Sequence, residues 1–264
     1  MAIAKLTLLM LQAALPAAAP PDVWSAMNPE RTCAVSAVWH IGTGTSSTPH
    51  AMVESVSPLE VGGRSVWRAM HTLLRGAEEA RQGLIPGFDF YDLDRATLAP
   101  VQSEHRGSAS QGAPAAVTRF AYESDSGSVH RLSPDGTPIE SIPLNGRRPF
   151  PEGPGSAAVY QAIDWRDGQR LRAHVLDRWR GRASARLRAV DLEVTGRGAV
   201  RVGGRRIPAY IVTETALDGS YQAVNSVTID RPHIVLRTEY SRGPRRTVSE
   251  VTAFTRDPAC EGTG

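Results

Sequence analysis

The second half of the chain is cut at short, regular intervals by turn-forming residues, and that spacing restricts the fold more than any other feature. The runs "RLRAHVLDRW", "LRAVDLEV", "AVRV", "IPAYIVTETA", "SYQAVNSVTID", "IVLRTEYS" and "RTVSEVTAF" are rich in β-branched and aromatic residues. Between them fall "GRG", "GG", "LDG", "DRPH" and "RGPR". Parallel strands need a long crossover, so intervals this short imply antiparallel neighbours. Leu171, Ala173 and Val175 share one face of their run, as do Val190, Leu192 and Val194, leaving Arg172, His174, Asp191 and Glu193 for water.

The first half repeats the pattern. "AVSAVWHIG", "AMVESVS" and "SVWRAMHTLL" form an opening meander with a Gly-Gly turn in "EVGGR", and "FDFYDLD", "TLAPVQSEHRG", "AAVTRFAYES" and "GSVHRLS" form another group. The stretch 135–155, "DGTPIESIPLNGRRPFPEGPG", is dense in proline and glycine and reads as a crossing loop. Behind it, "SAAVYQAIDW" starts on an N-cap residue, Ser156, and sets Val159, Ala162 and Ile163 on one side, as a helix ending near Trp165 would. A weaker helix candidate is "LLRGAEEARQGL". About a dozen strands are too many for one flat sheet. The expected fold is mainly β: a strongly curved antiparallel sheet, a half-barrel, wrapped over one or two helices.

Residues 1–19 have one charge at Lys5, an apolar run and small residues before Pro20, the layout of a secretory leader whose cleavage point stays open. The apolar run is too short to span a bilayer; a buried N-terminal helix is the other reading. Residues 20–264 are then expected to form a single β-rich domain. Cys33 and Cys260, an even count in an exported chain, point to a disulfide joining the two ends, with two separate thiols as the alternative. Lys5 is the only lysine, so 29 of the 30 basic residues are arginines, set against 27 acidic ones. That excess is too small to indicate a nucleic-acid site.

Chemical motifs are sparse. "GTGTSS" and "GRGAV" read as turns, and there is no G-x-S-x-G elbow, no H-E-x-x-H pair and no cysteine beside an obvious base. No catalytic residue, cofactor or metal site is therefore assigned. His40, His71, His105, His130 and His174 all fall in strand runs and could meet only through the fold. Asp92 and Asp94 share a strand face, a spacing open to acid–base work but common at strand ends. Aromatic residues are the better candidates for recognition. Trp39, Trp67, Tyr122, Trp165, Trp179, Tyr210 and Tyr221 are the candidate lining of a cavity in the curved sheet, with core packing as the alternative.

From Phe88 to Phe254, "FDFYDLDRATLAPVQSEHRG" and the run from "DLEVTGRGAVRVGGRRIPAYIVTET" to "DRPHIVLRTEYSRG" resemble the paired meanders of secreted bacterial half-barrels of the lipoprotein-carrier (Lol) type, in particular their uncharacterised relatives. The resemblance implies a curved sheet with an apolar concave face, and a periplasmic or extracellular protein that is not integral to the membrane once processed. It also implies a non-catalytic carrier whose ligand is a lipid, acyl chain or other apolar molecule. The alternatives are a cell-envelope structural or assembly factor working through protein contacts, and a hydrolase whose residues meet only in the fold. The last requires a histidine near a carboxylate or serine in a cleft. An empty cavity on the concave face would favour the carrier.

Overall fold

The structure, a computed structural model, describes residues 18–43, 50–74, 87–107, 116–123, 127–177 and 186–260. Among the described residues fourteen strands form one antiparallel sheet: β1 Val35–Thr43, β2 His50–Val61, β3 Arg64–Leu74, β4 Phe88–Asp94, β5 Pro100–Arg106, β6 Val117–Tyr122, β7 Ser128–Leu132, β8 Pro138–Pro143, β9 Arg170–Asp177, β10 Arg186–Val202, β11 Arg205–Ala216, β12 Gln222–Thr228, β13 Val235–Arg242 and β14 Arg245–Arg256. The order across the sheet runs from β8 back to β1, then from β14 back to β9. Two meanders thus meet at the β1–β14 pair, and the sheet curves without closing, with β8 and β9 as its edges. Among the described residues one α-helix, α1 (Pro154–Ala162), lies on the concave side and packs on β2, β3 and β4.

Tight turns explain the regularity. Val61-Gly62-Gly63-Arg64 and Val202-Gly203-Gly204-Arg205 both have two glycines at positive φ, 57° and 77° in the first and 54° and 81° in the second. Two consecutive residues at positive φ make the two-residue hairpin whose twist matches that of the strands. The edges are managed. β8 carries Pro138 and Pro143 at its ends, removing donors. On β9, Arg172 N–H donates to Pro21 O (2.8 Å) and His174 O accepts from Phe150 N–H (2.7 Å), so loop segments occupy the free edge.

Several sequence expectations need correction. The 135–155 stretch is not loop throughout: it contains β8 and the first residues of α1, because its prolines sit where an edge strand and a helix start tolerate a missing N–H. The helix begins at Pro154 and ends at Ala162, not at Trp165, and its N-cap is Gly153, with φ 58° and no side-chain cap. Ser156, the expected cap, instead donates its hydroxyl to Gly153 O (2.7 Å). The "GRG" turn is absent. Gly196 and Gly198 lie inside the 17-residue β10, where a bulge between Val194 and Gly196 bends the strand. In the weaker helix candidate, Leu73 and Leu74 end β3, and the remainder lies outside the described residues, as does most of the 1–19 segment.

Three apolar clusters close the interior, the smallest packing Phe120 and Val129 on Ile142, Leu144 and Leu176. Of the two larger, one packs α1 residues Ala158, Val159 and Ala162, with Ile163 and Trp165 behind them, on Tyr91, Leu93, Leu171, Val190 and Leu192. The other brings Val200 and Val202, from beyond the β10 bulge, onto Val35, Ala37, Trp39, Leu236 and Val251. Cys33 and Cys260 are joined, with Cα atoms 6.1 Å apart, tying the chain before β1 to the chain after β14. No helix among the described residues is long and apolar enough to cross a membrane.

Candidate functional site

Between these clusters a cavity of about 920 Å³ stays open on the concave face. Its roof is Glu152 and Gly153, just before α1, with Ser156, Ala157 and Tyr160 of the helix. Gly155 lets the helix sit close, since a Cβ there would fall 2.8 Å from Tyr91 Cγ. Trp39, Met52, Phe120, Phe150 and Val235 supply apolar walls. Apolar groups supply the larger share of the lining, and polar side chains are set among them.

Strand alternation places these polar groups. On β3, Trp67 and Ala69 pack in the core beneath the helix, and two residues on, His71 reaches the cavity. Its Nε2 lies 2.5 Å from Glu54 Oε2, and the two side chains are only 16% and 11% exposed. His105 Nδ1 is bonded in the same way to Asp89 Oδ1. Arg131 on β7 pairs with Glu140 on β8 at 2.9 Å. Across the cavity, Tyr221 donates its hydroxyl to Glu214 (2.5 Å) and stacks on Tyr240 with ring centres 5.5 Å apart. Burial pushes the Glu214 carboxyl above the usual carboxylate range, although the hydrogen bond from Tyr221 opposes the shift. Deeper still, the Tyr160 hydroxyl accepts from Asn225 Nδ2 (3.1 Å), and Asn225 Oδ1 accepts from Thr238 (2.8 Å). Burial holds the Tyr160 phenol neutral, far above its ordinary titration range.

Of the seven aromatic candidates, Trp39 and Tyr221 line the cavity. Trp67, Trp165 and Tyr210 are in the core instead, and Tyr122 packs against it with its hydroxyl 3.3 Å from Ser103. Trp179 lies outside the described residues. Asp92 and Asp94 do share a face, but both are structural. Fully buried Asp92 accepts two hydrogen bonds from Arg68 and one from Gln102, all at 2.7 Å, and Asp94 caps the turn at Ala96 and Thr97. Sequence reasoning missed Glu54, Asp89, Glu214 and Tyr240. Their signal was the phase of the alternation, which puts His71 on the same face as Trp67. No cluster of three or more histidine, cysteine or acidic residues suited to a metal ion occurs among the described residues.

Comparison with solved structures identifies the fold. The chain is similar to a beta-barrel-like protein of the domain of unknown function DUF1849 from Brucella abortus. That likeness has a TM-score of 0.52 at 12% identity, covering 86% of this chain and 99% of that one. Looser likenesses are a DUF1329 family protein from Desulfovibrio piger (TM-score 0.30, 12% identity, 87% and 88% covered) and a putative outer membrane lipoprotein-sorting protein domain from Vibrio parahaemolyticus (0.32, 9%, 89% and 96%). No family model and no curated protein matches the sequence. The curved antiparallel architecture expected of the sequence is thus shared with the Brucella abortus protein, and at 12% identity the likeness extends to the fold alone.

Proposed function

We infer that this is an exported, non-catalytic binding protein of the cell envelope, holding an apolar or amphiphilic small molecule, such as a lipid, between the concave face of the sheet and α1. The observation that carries this reading is the cavity of about 920 Å³. A volume of that size falls within the range of small-molecule sites. The leader-like first residues and the Cys33–Cys260 bond support an oxidising compartment. Native mass spectrometry of protein exported to a periplasm and purified without detergent tests the reading. Extra mass that extracts into organic solvent is the expected result. A clean apo mass together with no uptake of added lipids or alkyl amphiphiles would defeat it and favour an assembly role through protein contacts.

A second reading, a hydrolase with a dispersed site, draws on the Glu54–His71 pair, which has the geometry of a base oriented by a carboxylate in a cleft. It lacks a nucleophile: among the described residues no serine, threonine or cysteine is hydrogen-bonded to His71. Turnover of a p-nitrophenyl ester that disappears in His71→Gln would support it, and turnover equal in both proteins would remove it.

A further inference from the structure

Three uncharged polar side chains that line the cavity meet in a buried group: Tyr160 from α1, Asn225 from β12 and Thr238 from β13, the last two directly opposite each other. Tyr160 is 2% exposed and Asn225 6%. The Tyr160 ring is held in place, packed on Trp165 and Phe150 with ring centres 5.2 and 6.3 Å away.

The three have more donors than acceptors to receive them. Together they carry four polar hydrogens, one on each hydroxyl and two on the amide. Two are used: Asn225 Nδ2 donates to the Tyr160 hydroxyl (3.1 Å), and the Thr238 hydroxyl donates to Asn225 Oδ1 (2.8 Å). The Tyr160 hydrogen and the second amide hydrogen meet no acceptor among the described residues. Turning the Asn225 amide over keeps the balance, because Tyr160 would then donate to the amide oxygen and the Thr238 hydrogen would be left over. Burial keeps the phenol protonated, and asparagine and threonine do not titrate, so the surplus is independent of any neighbour's charge.

Water can serve such donors while the cavity is wet, but a purely hydrocarbon ligand that displaced it would strand them. A ligand filling this space gains by bringing an oxygen acceptor, and the two lone pairs of a carbonyl match the two spare hydrogens. An ionised acceptor suits the place poorly. The donors are neutral, the Glu214 carboxyl already disfavours negative charge at the phenol, and burying a charge costs far more than burying a carbonyl. The arginines Arg188 and Arg242 sit at other rings, the first over Tyr221 and the second bonded to Tyr240.

We propose that Tyr160, Asn225 and Thr238 form an oxygen-recognition subsite, and that the ligand is an uncharged amphiphile whose carbonyl, in an ester or ketone, accepts from them. Its hydrocarbon part lies along Trp39, Phe150 and Val235, which line the same space. The inference rests on the cavity reading above and adds the chemical class of the ligand.

Binding of 2-decanone and decane to the full, oxidised protein by headspace gas chromatography, with decanoate followed by isothermal titration, tests both. The double variant Tyr160→Phe/Asn225→Leu is expected to weaken 2-decanone about fivefold or more while leaving decane unchanged, and decanoate is expected to bind wild type less tightly than the ketone. Infrared spectra of 2-decanone labelled with carbon-13 at its carbonyl should place the bound stretch below its position in hexane, and the double variant should move it back. A bound stretch equal to that in hexane, or ketone and decane weakening in parallel, would overturn the subsite and leave the cavity reading standing. Decanoate binding as tightly as the ketone would overturn the uncharged class. Failure of all three probes to bind would overturn the cavity reading as well. Should the double variant not fold, Tyr160→Phe alone and the wild-type infrared stretch still decide the matter.

Discussion

Gly155 sets how close α1 lies to the sheet, and replacing it with alanine measures how firmly the roof of the cavity is seated. A Cβ at this position would lie 2.5 Å from Pro151 Cβ and 2.8 and 3.0 Å from Tyr91 Cγ and Cδ2. Carbon atoms in contact sit about 3.5 Å apart or more, so helix or ring must move by ~1 Å. Neither is free to do so. Tyr91 is 1% exposed in the middle of the core, and Pro151 follows Phe150, which is hydrogen-bonded to the β9 edge. Overpacking of a tight site costs about 1–3 kcal/mol, and two clashes at once place Gly155→Ala near the upper end. Alanine's helix propensity returns no more than about 1 kcal/mol of this. The net expectation is a loss of about 2 kcal/mol. Urea unfolding followed by tryptophan fluorescence should show a lower midpoint with an unchanged slope. Gly196→Ala is the control: nothing lies within 4 Å of a Cβ there, so a change of no more than ~0.5 kcal/mol is expected. A Gly155→Ala midpoint equal to that of wild type would refute the argument, because the helix would then be free to ride away from Tyr91.

Other perturbations probe the rest of the frame. Replacing both Cys33 and Cys260 by alanine opens a loop of sequence separation 227, for which chain entropy predicts a loss of about 5 kcal/mol; an urea-midpoint change equivalent to less than ~1 kcal/mol would mean that β1–β14 pairing alone holds the ends. Asp92→Ala strands Arg68 and Gln102 on the convex face. It should cost about 3 kcal/mol, the low end for a broken buried pair, since Arg68 can turn to water. Glu214→Gln keeps an acceptor for Tyr221 and removes a carboxyl whose folded pKa is raised. A raised carboxylate pKa means the folded state binds more protons, so this group's contribution to stability falls as pH rises above about 4.5. The variant should match wild type near pH 4 and gain on it as pH rises above about 4.5, as read from thermal midpoints; a difference that does not change with pH would contradict the assignment.

The fold was legible because its signals are local. "GG" turns, period-two alternation at Leu171–Val175 and Val190–Val194, and the buried helix around Val159 each follow from a few adjacent residues. Errors came where one local signal has two structural uses. Glycines at 196 and 198 were equally suited to a turn or to a bulge, and prolines at 138, 143 and 154 to a loop, an edge strand or a helix start. The site was much less legible. Trp67 and Trp39 are indistinguishable by residue type and strand phase, yet one ends under the helix and the other at the cavity, because α1 covers only part of the concave face. Likewise, nothing in the spacing of Glu54, His71, Asp89 and His105 reveals that three separate registers bring them into one row. Each register depends on its own turn or loop, and a one-residue slip in any of them would turn a side chain to the convex face.

The polar character of that row bears on why the cavity exists. Fourteen strands enclose more space than inward side chains can fill, and here one helix and one bent hairpin fill its parts, leaving the middle open. A sheet selected only to be stable would finish the job with apolar residues, since replacing a buried ion pair by well-packed hydrophobic groups is often neutral or stabilising by about 1–4 kcal/mol. This chain instead turns two carboxylate–imidazole pairs, an Arg131–Glu140 pair and a Glu214–Tyr221 bond towards one void. Each charged group has an oppositely charged or hydrogen-bonding neighbour, so the arrangement does not wreck the fold. It nonetheless forgoes apolar burial at the centre of the molecule, a cost that a ligand covering Trp39 and Phe120 would offset under the binding reading proposed above.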